Sequence, residues 1–377
     1  MRICITRSVR HSYSETFIKD QITGFAKWAD VYTIHSGRLP ERKEDGALLS
    51  STLFWVLHKI VKVVTGERNN YFGNYGLKKY LRDNKIDVVL ANYGLSAAHL
   101  VPVCRDLDIP LLAIFHGHDA TDKKLLMQYV KKYNELFAYA AFIITVSQDL
   151  RNGIVKLGAD PAKVKVIPCG VDVSKFKPSG AEKEDLFLAV GRFVKKKGPL
   201  YTIQAFHRVW KKHPTAKLVM VGGKSGLFSK CRKLVNSLGM QQSVVFSGVL
   251  GQHEISELMG KALAFVQHSV TAPNGDTEGT PVSILEASAS GLPVISTLHG
   301  GIKDAVVHGK TGFLVGEGDV EGMARYMISV LEDVPLSVSM GREGRQHITA
   351  YYNQSKQIEK LNELAAEAVE EEKKHAH

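Results

Sequence analysis

Cysteine is scarce in this chain, with 4 residues in 377, and the four lie far apart: Cys4, Cys104, Cys169 and Cys231. None of their spacings matches a zinc site or a small disulfide framework, so we expect buried free thiols. Long apolar runs are also absent, since no stretch approaches the ~20 uninterrupted apolar residues of a membrane-spanning helix. Charge follows the first apolar run almost at once, which predicts a strand and not a signal peptide. We therefore expect a cytoplasmic protein.

The chain also lacks the motifs of several function classes that its charge would suit. Its net charge is +11, and residues 1–175 hold 25 Lys and Arg against 17 Asp and Glu, a balance of +8. Such a surface favours anionic partners, either membrane headgroups or nucleic acid. No zinc finger, RNP motif or basic zipper is recognisable, so we expect no nucleic-acid partner. The turn after the first strand has no G-x-G-x-x-G, which argues against an NAD-dependent dehydrogenase.

Strand-like and helical segments alternate along the chain, which predicts an α/β protein with mainly parallel sheets, and the length suits two domains. In the first half, the predicted strands are residues 2–6, 31–35, 87–91, 111–115, 142–146 and 164–167. The polar segment 173–185 contains Pro178 and Gly180 and is the predicted linker. We predict a first domain over residues 1–175, a second over residues 176–354, and a terminal helix over residues 355–377.

Two glutamates, Glu278 and Glu286, stand eight residues apart in the segment NGDTEGTPVSILEASASGLPVIS. Thr280 as N-cap and Pro281 at the first helical position predict a helix over residues 280–290. The free N–H groups at the start of this helix would favour an anionic ligand. Glu286 is suited to accept hydrogen bonds from the paired hydroxyls of a nucleotide ribose, with Glu278 nearer the phosphates. Their spacing alone is a weak signal and favours two solvated carboxylates, and the strings around them change that interpretation.

The segment from Glu278 to Glu286 resembles the E-x7-E signature of the retaining glycosyltransferases of family 4, and the flanking GTP, GLPV and GKTGFLV strings extend the resemblance. The resemblance covers essentially the whole chain and is most specific from Val190 to Val315. It implies a GT-B fold, in which two Rossmann-like, doubly wound domains face each other across a cleft. The second domain would hold most of a nucleotide-sugar donor, and the C-terminal helix would return to the first domain.

The same resemblance assigns further loops to the donor. GRFVKKKG follows a predicted strand, and its Arg192 and Lys197 match the family residues that neutralise the donor diphosphate. A solvated basic loop is the alternative for this segment. The VGGKSG turn would lie near the pyrophosphate, and the segment after VVFSG near the nucleobase. The expected donor-binding residues are Arg192, Lys197, Gly222, Gly223, Val249, Leu250, Gly279, Thr280, Pro281 and Glu286.

The predicted strand LLAIF delivers His116, His118 and Asp119 at its carboxyl end. Two histidines and an aspartate suggest a metal site, but adjacent side chains diverge at a strand end and no third ligand is identifiable. Buried structural imidazoles are the other alternative. In the family, an H-G-x-D stretch at this point reaches the donor sugar. The resemblance therefore implies that His116 and Glu278 act at the catalytic centre, with His118 and Asp119 on the acceptor side.

The segment HSYSETFIKDQI follows the first strand and resembles a SETF loop found in a subset of the family. We expect Ser14 to be the N-cap of a helix and Glu15 to lie in its first turn. Ser14, Glu15 and Thr16 are therefore acceptor-side candidates. The alternative is a simple capped helix.

Residues 51–64, STLFWVLHKIVKVV, predict an amphipathic helix. Its apolar face would comprise Leu53, Leu57, Ile60, Val61 and Val64. On the opposite face, Trp55, Lys59 and Lys62 would contact an anionic bilayer, and His58 lies beside them. The alternative is an ordinary helix packed on the sheet of the first domain.

The resemblance implies a retaining hexosyltransferase that uses a UDP- or GDP-sugar. Its acceptor would be a glycan or a polyprenyl- or other lipid-linked sugar in the biosynthesis of cell-surface polysaccharide or glycolipid. We expect no metal and no other cofactor, because basic side chains and a helix terminus would stabilise the leaving diphosphate. The protein would lie in the cytoplasm, peripherally on the inner face of the cytoplasmic membrane. A GT-B-type nucleotide-sugar epimerase and a non-catalytic nucleotide-sugar or membrane-binding module are the alternatives.

Overall fold

The computed structural model describes residues 1–10, 15–65, 71–180 and 182–375, with the backbone alone for Lys62, Thr65, Tyr71 and His375. The chain divides into two compact units. Unit 1 comprises Met1–Pro168 and Ser355–His377, and unit 2 comprises Cys169–Gln354.

Unit 1 is built on one sheet. Its strands are β1 (Arg2–Thr6), β2 (Asp30–His35), β3 (Arg42–Lys43), β4 (Val88–Asn92), β5 (Leu111–Phe115), β6 (Phe142–Thr145) and β7 (Val164–Val166). They lie in the order β3-β2-β1-β4-β5-β6-β7, and every pairing except β2 with β3 is parallel. The interior strand β5 is apolar and buried along its whole length, which is typical of a parallel sheet covered on both faces.

Helices connect these strands. They are α1 (Thr16–Phe25), α2 (Thr52–Thr65), α3 (Tyr71–Asp83), α4 (Gly94–Arg105), α5 (His118–Thr121), α6 (Lys123–Tyr139) and α7 (Gln148–Lys156). No helix within the described ranges is long and apolar enough to cross a membrane.

Unit 2 repeats the same architecture. Its strands are β8 (Leu186–Val190), β9 (Lys217–Val221), β10 (Val244–Gly248), β11 (Ala264–Val266), β12 (Val294–Thr297) and β13 (Gly312–Val315). They are parallel, in the order β10-β9-β8-β11-β12-β13. Its helices are α8 (Pro199–Lys212), α9 (Phe228–Ser237), α10 (Gln252–Lys261), α11 (Val282–Ala289), α12 (Ile302–Ala305), α13 (Val320–Glu332) and α14 (Val334–Tyr351). The last helix of the chain is α15 (Gln354–His375).

The core of unit 2 lies on both faces of its sheet. Phe187 packs in one buried cluster and the next residue, Leu188, packs in the other. Successive side chains of a strand point to opposite faces, so β8 contributes to both clusters. The sheet is therefore covered by helices on both sides, as in a doubly wound fold.

Each sheet reverses its strand order once. In unit 1, β1 lies between β2 and β4, and in unit 2, β8 lies between β9 and β11. The loops that follow such neighbouring strands diverge to opposite faces and leave a crevice at the carboxyl ends, where α/β proteins bind ligands. We therefore expect the candidate residues to lie at these two crevices, one beside β1 and β4 and the other beside β8 and β11.

The predicted strands of unit 1 agree with the structure to within one residue at either end. All four cysteines are free and buried, as expected. The segment 173–185 lies inside unit 2, because Phe176 is anchored in the core of that unit. The unit boundary accordingly follows Pro168 and not residue 175. Residues 355–377 group with unit 1, where the side chain of Ile358 lies against Gly24 of α1.

The predicted start of the helix after Glu278 is wrong by two residues. Pro281 has φ −71° and ψ 104°, which is extended and not helical, so it is the N-cap of α11. Its carbonyl oxygen accepts a hydrogen bond from the Ile284 N–H at 3.0 Å, as an N-cap carbonyl does. Thr280 therefore lies before the cap, and Val282 is the first helical residue.

Candidate functional site

The crevice of unit 2 contains a buried ion pair formed by two loops that the sheet brings together. Lys197 follows β8 and Glu278 follows β11, and these strands are neighbours. The distance from Lys197 Nζ to Glu278 Oε2 is 3.3 Å, and Lys197 Nζ also lies 3.4 Å from Gln267 Oε1. The Lys197 side chain is 15% exposed and that of Glu278 only 6%. Lys197 and Glu278, which were predicted for the same site, thus meet directly although they lie far apart in the sequence.

Burial and charge oppose each other in this pair. Burial by itself raises the pKa of Glu278, but the charges of Lys197 and Lys196 outweigh it, so the carboxyl group has a pKa below its ordinary value. Burial lowers the pKa of Lys197, and the charge of Glu278 partly offsets that effect. Glu278 is therefore an ionised carboxylate near neutral pH. Glu278 Oε1 is buried without a hydrogen-bond partner among the described residues, so it is available to accept a hydrogen bond from a ligand.

Lys196 makes buried contacts at this site that the sequence did not predict. Its side chain is buried, and its Nζ lies 2.9 Å from Asp276 Oδ1 and 3.1 Å from the Thr277 carbonyl oxygen. It thereby ties the loop after β8 to the loop that carries Glu278. Three consecutive lysines give no signal of which one is buried, because that depends on the 3₁₀ turn Lys195–Lys197. Lys196 was expected in a less constrained position.

A second set of contacts fixes the backbone of Glu278. The N–H of Glu278 donates to His299 Nε2 at 3.1 Å, and His299 Nδ1 lies 2.6 Å from Glu317 Oε1. Because Nε2 accepts this hydrogen bond, Nδ1 carries the ring hydrogen and donates a hydrogen bond to Glu317. The Thr271 N–H donates to the other oxygen of Glu317 at 2.8 Å. This relay from Thr271 to Glu278 was not predicted, and an isolated His299 before a glycine pair gives little sequence signal for it.

Close backbone approach explains the first glycine of VGGKSG. A Cβ at Gly222 would lie 2.1 Å from the Gly191 carbonyl oxygen, so no larger residue fits. Gly223 faces Val249, with 3.7 Å from its ideal Cβ to a Val249 methyl, and Val249 is exposed. Val249 and Leu250 follow β10 directly. Gly223, Val249 and Leu250 therefore lie just after the carboxyl ends of the neighbouring strands β9 and β10.

The remaining predicted donor residues surround the start of α11. Glu278, Thr280 and Glu286 are buried, and Gly279 and Pro281 lie between the ion pair and the helix. Val282 and Ser283 are the first two residues of α11, and their N–H groups have no carbonyl partner within the helix. Arg192 is exposed, and no ion pair joins it to another of the described side chains. Its guanidinium group is therefore available to a ligand.

In unit 1, His116 follows β5 between two aromatic rings. The ring centroids of Phe17 and Tyr93 lie 4.6 and 4.9 Å from that of His116. The ring is partly exposed, but its Nδ1 atom is buried and has no hydrogen-bond partner within the described ranges. Burial lowers the pKa of His116 to about 3, so the imidazole is neutral at physiological pH.

Asp119 has a structural role that differs from the one expected. Its Oδ1 accepts hydrogen bonds from the N–H groups of His116 and Gly117, and its Oδ2 accepts one from Gly94. The carboxylate is buried and joins the loops after β4 and β5, and its role on the acceptor side stays a prediction. His118 is exposed, with its Nδ1 3.8 Å from Asp122 Oδ2. In the described part of the chain, no group of three or more His, Cys, Asp or Glu could hold a metal ion.

The structure describes the SETF loop from Glu15 onward. Ser14 lies outside the described residues, and Glu15, not Ser14, is the N-cap position of α1, whose first residue is Thr16. The Glu15 carboxylate accepts hydrogen bonds from Ser8 Oγ at 2.6 Å and from the Tyr93 hydroxyl at 2.8 Å. Glu15 therefore holds Tyr93, one of the two rings that flank His116.

The amphipathic helix α2 is oriented opposite to the prediction. Trp55 Nε1 and Lys59 Nζ both donate to the Glu41 carboxylate, at 2.9 and 2.6 Å, and His58 is buried. The polar side chains therefore hold α2 on unit 1, and the membrane contacts predicted for Trp55 and Lys59 are replaced by an internal network. The side chain of Lys62 lies outside the described part. After Thr52, the exposed side chains described for α2 are apolar: Leu53, Val56, Ile60, Val63 and Val64.

Comparison with known proteins identifies the class to which this fold and site belong. The family model for glycosyl transferases group 1 matches residues 171–347, and the model for glycosyltransferase family 4 matches residues 15–175. The protein is a glycosyltransferase with the GT-B fold. More particularly, the match over residues 15–175 places the chain in glycosyltransferase family 4.

Three known proteins define the similarity further. The amylovoran biosynthesis glycosyltransferase AmsK of Erwinia amylovora is 27% identical, over 93% of this chain and 96% of the relative. An Escherichia coli UDP-Gal:alpha-D-GlcNAc-diphosphoundecaprenol alpha-1,3-galactosyltransferase is 26% identical, over 78% of each chain. The crystal structure of Anabaena Alr3699/HepE in complex with UDP and glucose superposes with a TM-score of 0.77 at 18% identity, covering 97% of this chain and 100% of that one. The structural likeness concerns the fold.

Proposed function

We propose that this glycosyltransferase moves a hexose from a UDP- or GDP-sugar to a glycan or lipid-linked acceptor, with retention of configuration. The observation that carries the proposal is the buried Lys197–Glu278 pair in the crevice of unit 2, beside the start of α11. It combines a cation for the donor diphosphate with a carboxylate that has one free oxygen for sugar hydroxyls. The UDP complex of the HepE fold relative supports a nucleotide-bound donor.

The proposed reaction breaks the bond between the anomeric carbon and the diphosphate oxygen and forms a bond from the same carbon to the acceptor oxygen. The departing diphosphate takes the proton of the acceptor hydroxyl on the same face of the sugar. Lys197, Arg192 and the first amides of α11 stabilise the negative charge that develops on the leaving group. Glu278 orients sugar hydroxyls, and His116 contributes near the reacting carbon. No metal ion is needed for these steps.

A lipid-linked acceptor is supported by two observations. The galactosyltransferase relative is named for a diphosphoundecaprenol-linked acceptor, and AmsK for a biosynthetic pathway. In unit 1, α2 exposes apolar side chains, with Leu53 66%, Ile60 54% and Val63 86% exposed. We propose that this apolar side of α2 rests on the inner face of the cytoplasmic membrane, and that the basic excess of residues 1–175 adds attraction to anionic lipid.

Substituting two of these exposed residues is expected to weaken membrane binding. In the double variant Ile60→Glu and Val63→Glu, binding to vesicles that contain anionic lipid should fall about tenfold or more, because apolar burial and charge attraction are both lost. Vesicle co-sedimentation measures this. The matched control is Val338→Glu on α14 of unit 2, where the valine is 52% exposed. Equal loss in the control and the double variant would argue against a role for α2.

Release of nucleoside diphosphate tests the transfer itself. We expect release from one member of a panel of UDP- and GDP-sugars, dependent on a bacterial lipid extract, unchanged by EDTA, and abolished in Glu286→Ala. The product should keep the anomeric configuration of the donor, as measured by the proton coupling at the anomeric carbon. Release that needs no lipid would refute a lipid-linked acceptor. Recovery of free epimerised donor would establish an epimerase, and tight donor binding without any turnover would establish a binding module.

A further inference from the structure

A chain of buried hydrogen bonds lies beneath His116 in unit 1, at the carboxyl ends of β1, β4 and β5. Asn92, the last residue of β4, is fully buried. Its Nδ2 donates to the Thr6 carbonyl oxygen at 3.2 Å and to Gln21 Oε1 at 3.0 Å. A backbone carbonyl only accepts hydrogen bonds, so the orientation of the Asn92 amide is fixed. Its Oδ1 must then face His116, whose Nε2 lies 2.9 Å away.

This orientation determines where the proton of His116 resides. Since Asn92 Oδ1 only accepts, Nε2 of His116 must carry the hydrogen, and in a neutral ring Nδ1 is then an unprotonated lone pair. The ring is neutral because burial holds the pKa of His116 at about 3. Nδ1 is also the atom of this ring that is buried without a partner in the described part of the chain.

The neighbouring carboxylates do not compete with the Asn92 amide for the ring N–H of His116. The carboxylate of Asp119, on α5, accepts hydrogen bonds from the backbone N–H groups of His116, Gly117 and Gly94. Glu15, at the start of α1, is occupied by Ser8 and Tyr93. Both acidic groups near His116 are thus turned toward other donors, and the ring interacts with a neutral amide. A carboxylate in place of that amide would stabilise the imidazolium instead.

We propose that Asn92, supported by Gln21, is a positioning residue that locks His116 in the Nε2–H tautomer, so that Nδ1 serves solely as a hydrogen-bond acceptor for a ligand hydroxyl. This inference rests on the proposed glycosyl transfer, in which sugar hydroxyls are the available donors. A buried acceptor without a donor is costly, and a hydroxyl that enters the site removes that cost. An anionic group such as phosphate meets only a lone pair there, so the same lock excludes it from this position.

The tautomer is measurable without any substrate. In the full-length protein labelled with ¹⁵N-histidine, the His116 signals, assigned by their loss in His116→Gln, should show a protonated Nε2 and an unprotonated Nδ1 from about pH 5 to 8. A protonated Nδ1, or a His116 that titrates in this range, would overturn the proposal. Because no donor or acceptor sugar is present, this result does not depend on whether the proposed transfer occurs.

Asn92→Asp tests the consequence for activity. The new carboxylate should raise the pKa of His116, so that at lower pH the ring becomes an imidazolium in which both nitrogens donate. We expect kcat/KM of the variant, relative to the unmodified enzyme, to fall about tenfold for each pH unit below the new pKa. The matched control is Asn84→Asp, because Asn84 Nδ2 also donates to a backbone carbonyl, that of Tyr80 at 2.8 Å.

The outcomes separate positioning from structural damage. A pH-independent loss in Asn92→Asp, with an unchanged His116 titration, would overturn the proposal, because a structural defect alone gives that result. A new acidic limb that matches the His116 pKa measured by NMR in the same variant, and is absent from Asn84→Asp, would support it. If Asn92→Asp does not fold, the tautomer measurement on the unmodified protein still decides.

Discussion

Lys197→Met is expected to lower turnover about 10²–10³-fold, because it removes the buried cation that would oppose the charge on the leaving diphosphate. The structural basis is the 3.3 Å separation of Lys197 Nζ and Glu278 Oε2 within the crevice of unit 2. The variant also removes the ion-pair partner of the buried Glu278, so the pKa of Glu278 should rise above the present lowered value. Steady-state release of nucleoside diphosphate measures the first effect.

Stability and chemistry can be separated at this pair. Breaking a buried ion pair costs about 3–5 kcal/mol, so Lys197→Met should also destabilise unit 2. Adding Glu278→Gln removes the stranded charge, and the double variant should recover stability in denaturant unfolding without recovering turnover. Lys195→Met is the matched control, because Lys195 lies on the same 3₁₀ turn and is exposed. A control as inactive as Lys197→Met would refute a specific role for Lys197.

Gly300→Ala is expected to reduce turnover about tenfold to a hundredfold by displacing the loop that carries Glu278. Gly300 has φ +48°, and a Cβ there would lie 2.2 Å from the Glu278 carbonyl oxygen. The methyl group must push that backbone away, and misplacement of a reacting group by about 1 Å can cost two orders of magnitude in rate. Turnover and thermal unfolding of the variant provide the test.

A second glycine supplies the control for backbone strain. Gly309 has φ +75°, but no atom lies within 4 Å of its ideal Cβ. Gly309→Ala should therefore carry the strain alone, about 1–2 kcal/mol, and keep its turnover. If both variants lose activity equally, strain and not displacement of Glu278 is the cause. If neither does, the position of the Glu278 loop does not limit the rate.

The order of strands and helices could be predicted from the sequence because each of them depends mainly on its own residues. The run LLAIF has no polar side chain, so it predicts a buried strand, and β5 occupies those residues. The start of α11 was misjudged for a local reason too. Pro281 is favoured both at the first helical position and in extended backbone, and the loop that holds Glu278 selects the extended form.

Side-chain partners were less predictable because they join distant segments. Lys195, Lys196 and Lys197 are chemically identical in the sequence, yet the structure exposes the first, ties the second to Asp276 and pairs the third with Glu278. Helix α2 gives the clearest example. Its amphipathic pattern is equally compatible with either face pointing inward, and Glu41, ten or more residues earlier, determines that Trp55 and Lys59 face unit 1.

By itself, the sequence determined the fold class, the family and the residue types of the donor site, because those follow from local patterns and contiguous motifs. The tertiary structure alone decided which of those residues interact. Asn92, Gln21 and Thr6 lie on three separate elements, and only the pairing of β1 with β4 brings them beneath His116. The protonation of the His116 ring and the charge of the Lys197–Glu278 pair depend on such neighbours. The pairing of strands in the sheet determines which residues are neighbours, and the order of residues in the chain does not.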